Sequence, residues 1–193
     1  MRICIFGAAS PTIDAEYIEM VEALGEKLAK RGHSLVFGGG GNGLMGASAR
    51  GVRDGGGKIL GVVPEFFMED SIEQLCNFCD ELLVPKTMRE RKQLMEDNSD
   101  AFIVLPGGVG TYEEFFEILT SKQLCRHNKP IAIYNIGGFY DKMVDAMKSA
   151  VEKSFIKESC LDLFCMTEDT DKLFEYIEAP QEEIKSIKEL KDG

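Results

Sequence analysis

Short apolar runs rich in β-branched and aromatic residues alternate along this chain with longer stretches of helical period, the pattern of βαβ units around a parallel sheet. Strands are expected at Ile3–Phe6, Leu35–Phe37, Ile59–Val63, Leu82–Val84, Ala101–Leu105 and Ile131–Tyr134, with a weaker seventh at Leu163–Met166. Helices are expected at Asp14–Arg31, Leu44–Asp54, Met88–Asn98, Tyr112–Arg126, Tyr140–Glu152 and Asp171–Ile177, the first closing on Gly32 as a left-handed C-terminal residue. The run Ala101-Phe102-Ile103-Val104-Leu105 lacks polar alternation, which suits a strand covered by helices on both faces. The expected fold class is therefore α/β, a doubly wound, mostly parallel sheet in a single domain over residues 1–180. Residues 181–193, rich in Lys and Glu with thinly spaced Ile and Leu, are expected to form a charged tail or surface helix. The segment Glu65–Asp80 is ambiguous between the two periods.

Composition narrows the function classes. With 33 acidic against 22 basic residues the formal charge is −11, so a nucleic-acid polymer would be bound against the global field, while a small anion in one basic pocket is not disfavoured. No apolar run approaches the roughly 20 residues of a membrane span. The N-terminal Ile3-Cys4-Ile5-Phe6 is too short for a secretory signal, so a cytoplasmic location is expected. The six cysteines are then expected as reduced thiols; Cys76-Asn77-Phe78-Cys79 is a single C-x-x-C without the second pair that a zinc site needs.

In an open α/β sheet the chemistry collects in the loops that leave the strands, and two such loops are glycine-rich. In the first, Gly41, Gly43 and Gly46 fit G-x-G-x-x-G between a strand and a helix, and Glu65 follows about 20 residues on, as a dinucleotide site would want. A tight turn packing the helix on the sheet explains the same glycines. The second loop is Leu105-Pro106-Gly107-Gly108-Val109-Gly110-Thr111-Tyr112-Glu113-Glu114. Thr111 and Glu114 have the spacing of a capping box, which needs no ligand, but capping does not account for Gly107, Gly108 and Gly110, and a bare backbone suits an approaching anion. Between the loops, Thr87 and Glu90 supply another capping box, and the helical stripe from Met88 carries Arg91, Lys92 and Met95. Cations on an apolar stripe need an anionic partner, either a ligand phosphate or Glu114, unless they snorkel to the rim.

Pro106-Gly107-Gly108-Val109-Gly110-Thr111-Tyr112-Glu113-Glu114 resembles the P-G-G-x-G-T-x-x-E signature of the Lonely Guy family of cytokinin riboside 5′-monophosphate phosphoribohydrolases, formerly labelled lysine decarboxylases. The similarity extends to Ile5–Ser10, to the Gly38–Gly46 loop with its Gly-Leu-Met-Gly, to Met88–Lys92 and to Gln123–Pro130. The resemblance implies a Rossmann-like fold, a homodimer, no metal or cofactor, and hydrolysis of the N-glycosidic bond of a nucleoside 5′-monophosphate to free base and ribose 5-phosphate. By the same resemblance the catalytic residues fall on Arg91 and Glu114, and substrate binding falls on Lys92, Gly108, Val109, Gly110, Thr111 and Thr120, with Ser10, Gly39, Gly40 and Met45 in the adjoining loops. The sequence departs from the family's pattern at Arg89, where a His is common, and at Ser121, where an aromatic is common.

The residue types suit that chemistry. Cleavage of a ribose C1′–N bond passes through an oxocarbenium-like state that a nearby carboxylate stabilises, a role for Glu114. A guanidinium stays ionised, so Arg91 is expected to position phosphate, base or Glu114, not to donate a proton. The rival readings are a non-catalytic nucleotide- or dinucleotide-binding protein, and a decarboxylase, which would need a pyridoxal phosphate lysine that neither Lys86 nor Lys92 supplies with a distinctive context.

Overall fold

The apolar runs form one seven-stranded parallel sheet in the computed structural model, which describes residues 1–69, 74–181 and 190. The strands are β1 (Arg2–Phe6), β2 (Ser34–Phe37), β3 (Ile59–Val62), β4 (Glu81–Leu83), β5 (Ala101–Val104), β6 (Ile131–Tyr134) and β7 (Cys165–Thr167), in the spatial order β4-β3-β2-β1-β5-β6-β7. The helices are α1 (Ala15–Lys30), α2 (Gly43–Asp54), α3 (Glu65–Glu69), α4 (Met88–Asp97), α5 (Val109–Gln123), α6 (Asp141–Glu152) and α7 (Thr170–Glu178). One apolar layer, with Leu24, Leu28, Leu44, Val52 and Phe174, lies under α1, α2 and α7; the other, with Met95, Phe115, Ile118, Val144 and Met147, lies under α4, α5 and α6. Every residue of β3, β5 and β6 is buried, the double coverage that their unbroken apolar runs required. The winding turns back between β1 and β5, which pair directly from Ile3↔Ala101 to Phe6↔Val104. The crevice beyond their carboxyl ends is the topological switch point of the sheet.

The local reasons are visible at the helix ends. Gly32 takes φ +81° and closes α1 with bonds from Gly32 N–H to Ala29 O (2.9 Å) and from His33 N–H to Leu28 O (3.2 Å), a Schellman motif. Thr87 and Glu90 form the expected capping box on α4. The expected box at Thr111 and Glu114 does not form: α5 begins at Val109 with Gly108 as N-cap and no side-chain cap. Gly107 and Gly108 let the chain turn into the helix at once, and Thr111 is buried inside the first turn against Gly107, where an added Cβ would sit 2.1 Å from Thr111 Oγ1. β7 starts at Cys165, later than expected, because Glu158–Leu163 closes into a 3-10 turn. The segment of ambiguous period opens with the short α3, and its residues 70–73 lie outside the described residues. Of the tail 181–193 only Gln181 and Leu190 are described; Leu190 is buried and its carbonyl accepts from Gln123 Nε2 at 2.9 Å. Among the described residues no helix is long and apolar enough to cross a membrane.

α1 and α2 cross with their backbones in contact. An added Cβ at Gly51 would lie 2.0 Å from Glu22 O, and one at Gly25 would lie 2.5 Å from Ser48 O. Each glycine costs a helix interior about 1 kcal/mol of propensity, and the close approach offsets it. Gly51→Ala should therefore lower unfolding stability by about 1–3 kcal/mol, the scale of overpacking, in spite of the better helix former. Chemical denaturation of the purified variant checks this, and an unchanged midpoint would count against the close crossing.

Candidate active site

The two glycine loops meet at the switch point but use their helix ends differently. At α2 the N–H groups of Leu44 and Met45 both donate to Ala8 O, at 2.8 and 3.3 Å, and Gly46 N–H donates to Asn42 O at 2.8 Å. An added Cβ at Gly46 would lie 2.0 Å from Gly41 O. These glycines thus serve a packed turn that clamps the loop after β1, and the amides of Leu44, Met45 and Gly46 already have acceptors. At α5 the first helical bond is Tyr112 N–H to Gly108 O (3.1 Å), and the amides of Val109, Gly110 and Thr111 have no acceptor among the described residues. Added Cβ atoms at Gly108 and Gly110 would meet nothing within 4 Å. The α5 turn is a bare, positively polarised backbone edge facing open space, the arrangement that receives an anion.

One helical turn further on, Glu114 Oε1 stands 3.6 Å from Arg91 Nη1, with the two side chains only 12% and 8% exposed. Arg91 reaches there because α4 lies over β3: its Nε donates to Val62 O at 3.2 Å, and its guanidinium lies 5.8 Å from the Phe67 ring centroid. Burial pushes the Glu114 carboxyl up to about 7, with Arg91 pulling the other way. A carboxyl poised near neutrality beside a fixed cation can exchange a proton or hold negative charge at working pH, which marks a functional site more often than a structural one.

Lys92 is engaged within the chain. Its ammonium bonds Glu113 and lies 2.8 Å from Glu117. Burial opposes the charge, but the bonds to Glu113 and Glu117 hold this lysine above its ordinary value. The stripe from Met88 is accordingly split: Arg91 and Met95 are buried, Lys92 answers α5 acids, and Met88 is 37% exposed. A cavity of about 330 Å³ at the switch point is lined by Ile13, Asp14, Tyr17, Leu44, Gly107 and Phe139, among others. Glu114 opens instead on a void of about 10 Å³ that it shares with Lys92, Glu96 and Glu117.

The remaining sequence candidates separate by place. Ser10 is exposed after β1, its hydroxyl 3.0 Å from that of Thr12. Met45 is buried against Gly38. Gly39 O accepts from Cys76 N–H at 2.8 Å, and Gly40 forms an antiparallel bridge with Leu75. Thr120 lies apart from Arg91 and Glu114, in a groove of about 620 Å³ with Phe116 and Met143. No group of three or more His, Cys, Asp or Glu among the described residues is placed to hold a metal ion.

A family model described as possible lysine decarboxylase matches residues 45–177, which include both α4 and the α5 turn. The chain belongs to this family, the Lonely Guy family. The probable cytokinin riboside 5′-monophosphate phosphoribohydrolase LOGL5 of Oryza sativa subsp. japonica is 37% identical over 191 residues, covering 94% of this chain and 74% of its own length. The cytokinin riboside 5′-monophosphate phosphoribohydrolase LOG2 of Arabidopsis thaliana is 34% identical over 177 residues, covering 92% and 82%. Among solved structures, the molybdenum cofactor carrier protein of Chlamydomonas reinhardtii superposes with a TM-score of 0.66 at 20% identity over 90% of this chain and 93% of its own. The molybdenum cofactor binding protein of Rippkaea orientalis gives 0.65 at 16% identity, over 90% and 91%. At such identities the likeness is one of fold.

Parts of the site in this Lonely Guy chain escaped sequence reasoning. Gly38 makes room for Arg91: an added Cβ there would sit 1.9 Å from Nη2. Val62 O and Phe67 complete the Arg91 seat, yet a backbone carbonyl has no sequence signature and Phe67 falls in the stretch of mixed period. The acids Glu113 and Glu117 carried the available signal for Lys92, since they flank Glu114 at helical spacing opposite the basic pair.

Proposed function

We propose that this protein hydrolyses the N-glycosidic bond of a nucleoside 5′-monophosphate, releasing free base and ribose 5-phosphate. The observation that carries the reading is the buried Glu114–Arg91 pair one turn beyond the bare amides of Val109, Gly110 and Thr111, in a chain whose relatives bear the phosphoribohydrolase name. The α5 amides receive the 5′-phosphate. Glu114, ionised, orients the attacking water or stabilises positive charge as the C1′–N bond lengthens, and Arg91 holds the carboxylate in place and the local field fixed. Gly108, Val109, Gly110 and Thr111 are thereby binding residues, with Ser10, Gly39, Gly40 and Met45 shaping the adjoining wall. Lys92, held by Glu113 and Glu117, contributes by favouring the ionised form of Glu114.

Two rivals fare worse. A dinucleotide reading of Gly41, Gly43 and Gly46 needs free amides at α2, and those of Leu44 and Met45 bond Ala8 O. A decarboxylase needs a lysine that loses its proton readily; Lys92 is held protonated between acids and Lys86 is exposed.

The phosphate requirement tests the reading. AMP or N6-prenylated AMP should be cleaved with kcat/KM at least about 100-fold above the matching nucleoside, the worth of a few charge-assisted hydrogen bonds. Equal values for AMP and adenosine would sink it. We also propose a homodimer. Of the apolar helix residues Phe115, Phe116, Met143 and Met147, the first and last are buried in the core, whereas Phe116 is 40% exposed and borders the 620 Å³ groove with Met143, Ala146 and Ala150. An open apolar face of this kind suits a second copy, which would also bring Thr120 to the subunit boundary. Sedimentation at micromolar concentration should give twice the chain mass, and a monomer would contradict it.

A further inference from the structure

We propose that Cys76 and Cys79 form a thiol–disulfide exchange site that takes a low-molecular-weight disulfide and transmits its redox state to the glycine loop at Gly38–Gly41. Both thiols are free and half-buried, and they stand three residues apart in a C-x-x-C where each perturbs the other's titration. Cys79 Sγ reaches Cys76 O at 4.0 Å and packs over β3, where an added Cβ at Gly61 would lie 3.1 Å from the sulfur. Of the two intervening residues, Phe78 packs against Arg53, whose guanidinium stands 4.6 Å from its ring centroid. Of the remaining cysteines, Cys4 and Cys160 are buried, Cys125 is exposed, and Cys165 is half-buried in β7 with its thiol pushed up by burial.

The environment divides the roles. The neighbouring Cys79 thiol, the Phe78 amide, Arg53 and Arg50 hold the Cys76 thiol down to about 7 against burial. Cys79 is driven up by its neighbour Cys76 and by burial. Cys76, which feels the Arg53 and Arg50 cations, is assigned the attack, and Cys79, packed against Gly61 of β3, the resolving role. The Cys76 thiolate attacks one sulfur of the small disulfide, expelling one thiolate and leaving a mixed disulfide on Cys76. Cys79 then gives up its proton and attacks Cys76 Sγ, expelling the second thiolate. The pair loses two electrons and two protons, and the small disulfide becomes two thiols.

The link to the loop is a short antiparallel clip: Cys76 N–H bonds Gly39 O at 2.8 Å, Gly41 N–H bonds Gln74 O at 2.6 Å, and Gly40 bridges Leu75. Drawing the two sulfurs to a covalent bond of about 2.0 Å pulls on the segment that holds this loop, and with it on Gly38 against Arg91.

The test uses the full chain in glutathione buffers of graded oxidation, read by intact mass and by peptide mapping after thiol alkylation. A Cys76–Cys79 disulfide should form first and be reversed by dithiothreitol; Cys79→Ser should retain one glutathione on Cys76, and Cys76→Ser should retain none on Cys79. Hydrogen exchange at Gly39–Gly41 should change at least about fivefold between the two forms, the low end of ordinary coupling between sites, and this change should vanish in Cys79→Ser. Glutathionylation of Cys125 ahead of Cys76, no intramolecular disulfide, or a disulfide that leaves exchange at Gly39–Gly41 unaltered would each overturn the proposal. None of these readouts depends on nucleotide hydrolysis.

Discussion

Glu114→Gln should lower kcat on a nucleoside 5′-monophosphate by about 100-fold or more, the scale of a catalytic electrostatic group, without loss of folding stability. The two halves have one cause. Burial places the Glu114 carboxyl at about 7, above its ordinary 4.5. The folded state therefore binds this proton more tightly than the unfolded one, and the stability that the proton confers is present below pH 4.5 and lost as pH rises through 7. At pH 8 the wild type carries a desolvated anion only partly answered by Arg91; the amide carries none. The variant should melt no lower than wild type at pH 8 while turning over far more slowly. Wild-type kcat/KM should rise with pH and level off above about 7, the titration of this carboxyl, as the proposed role of the ionised form requires. A variant with near-normal turnover would reduce Glu114 to a structural acid, and a rate that falls as pH passes 7 would assign it the opposite protonation state.

Arg91→Ala should cost kcat a similar factor of about 100 or more, because a fixed cation beside the reacting carboxylate acts in the transition state. A second consequence separates this role from phosphate anchoring. Arg91 is the group that lowers the Glu114 carboxyl against burial, so its removal should shift the ascending limb of the pH–rate profile to higher pH. An anchor for phosphate would instead raise KM and leave kcat and the limb in place. Circular dichroism guards against misfolding, and Arg91→Lys, which keeps charge but loses the planar fork, should recover the limb more than the rate.

The fold was legible where one physical signal sufficed. Unbroken apolar runs located β1, β2, β3, β5 and β6, since strands buried on both faces have no polar side to show, and Gly32 marked the end of α1. The start of α5 was misplaced because Thr111-x-x-Glu114 satisfies the capping pattern in sequence, whereas Gly107 and Gly108 start the helix earlier and turn Thr111 inward. The same three-residue offset that imitates a cap puts Glu114 on the helix face toward Arg91. Glu114, one of the two anionic partners open to Arg91 in the sequence, stands beside it. The engagement of Lys92 by Glu113 and Glu117 was not foreseen: the acids' helical spacing was there to read, but which helix they face depends on how α4 and α5 cross. The glycine loops looked alike in sequence; only the Ala8 carbonyl, supplied from the end of β1, shows that one helix end is occupied and the other bare.

Product analysis tests the central claim most directly. Incubation of the purified chain with AMP and with N6-prenylated AMP, followed by chromatography of the base and enzymatic assay of the sugar phosphate, should give free base and ribose 5-phosphate in equal amounts, with neither product formed by Glu114→Gln at a comparable rate. Release of nucleoside and inorganic phosphate, or tight binding of the nucleotide with no product at all, would contradict it.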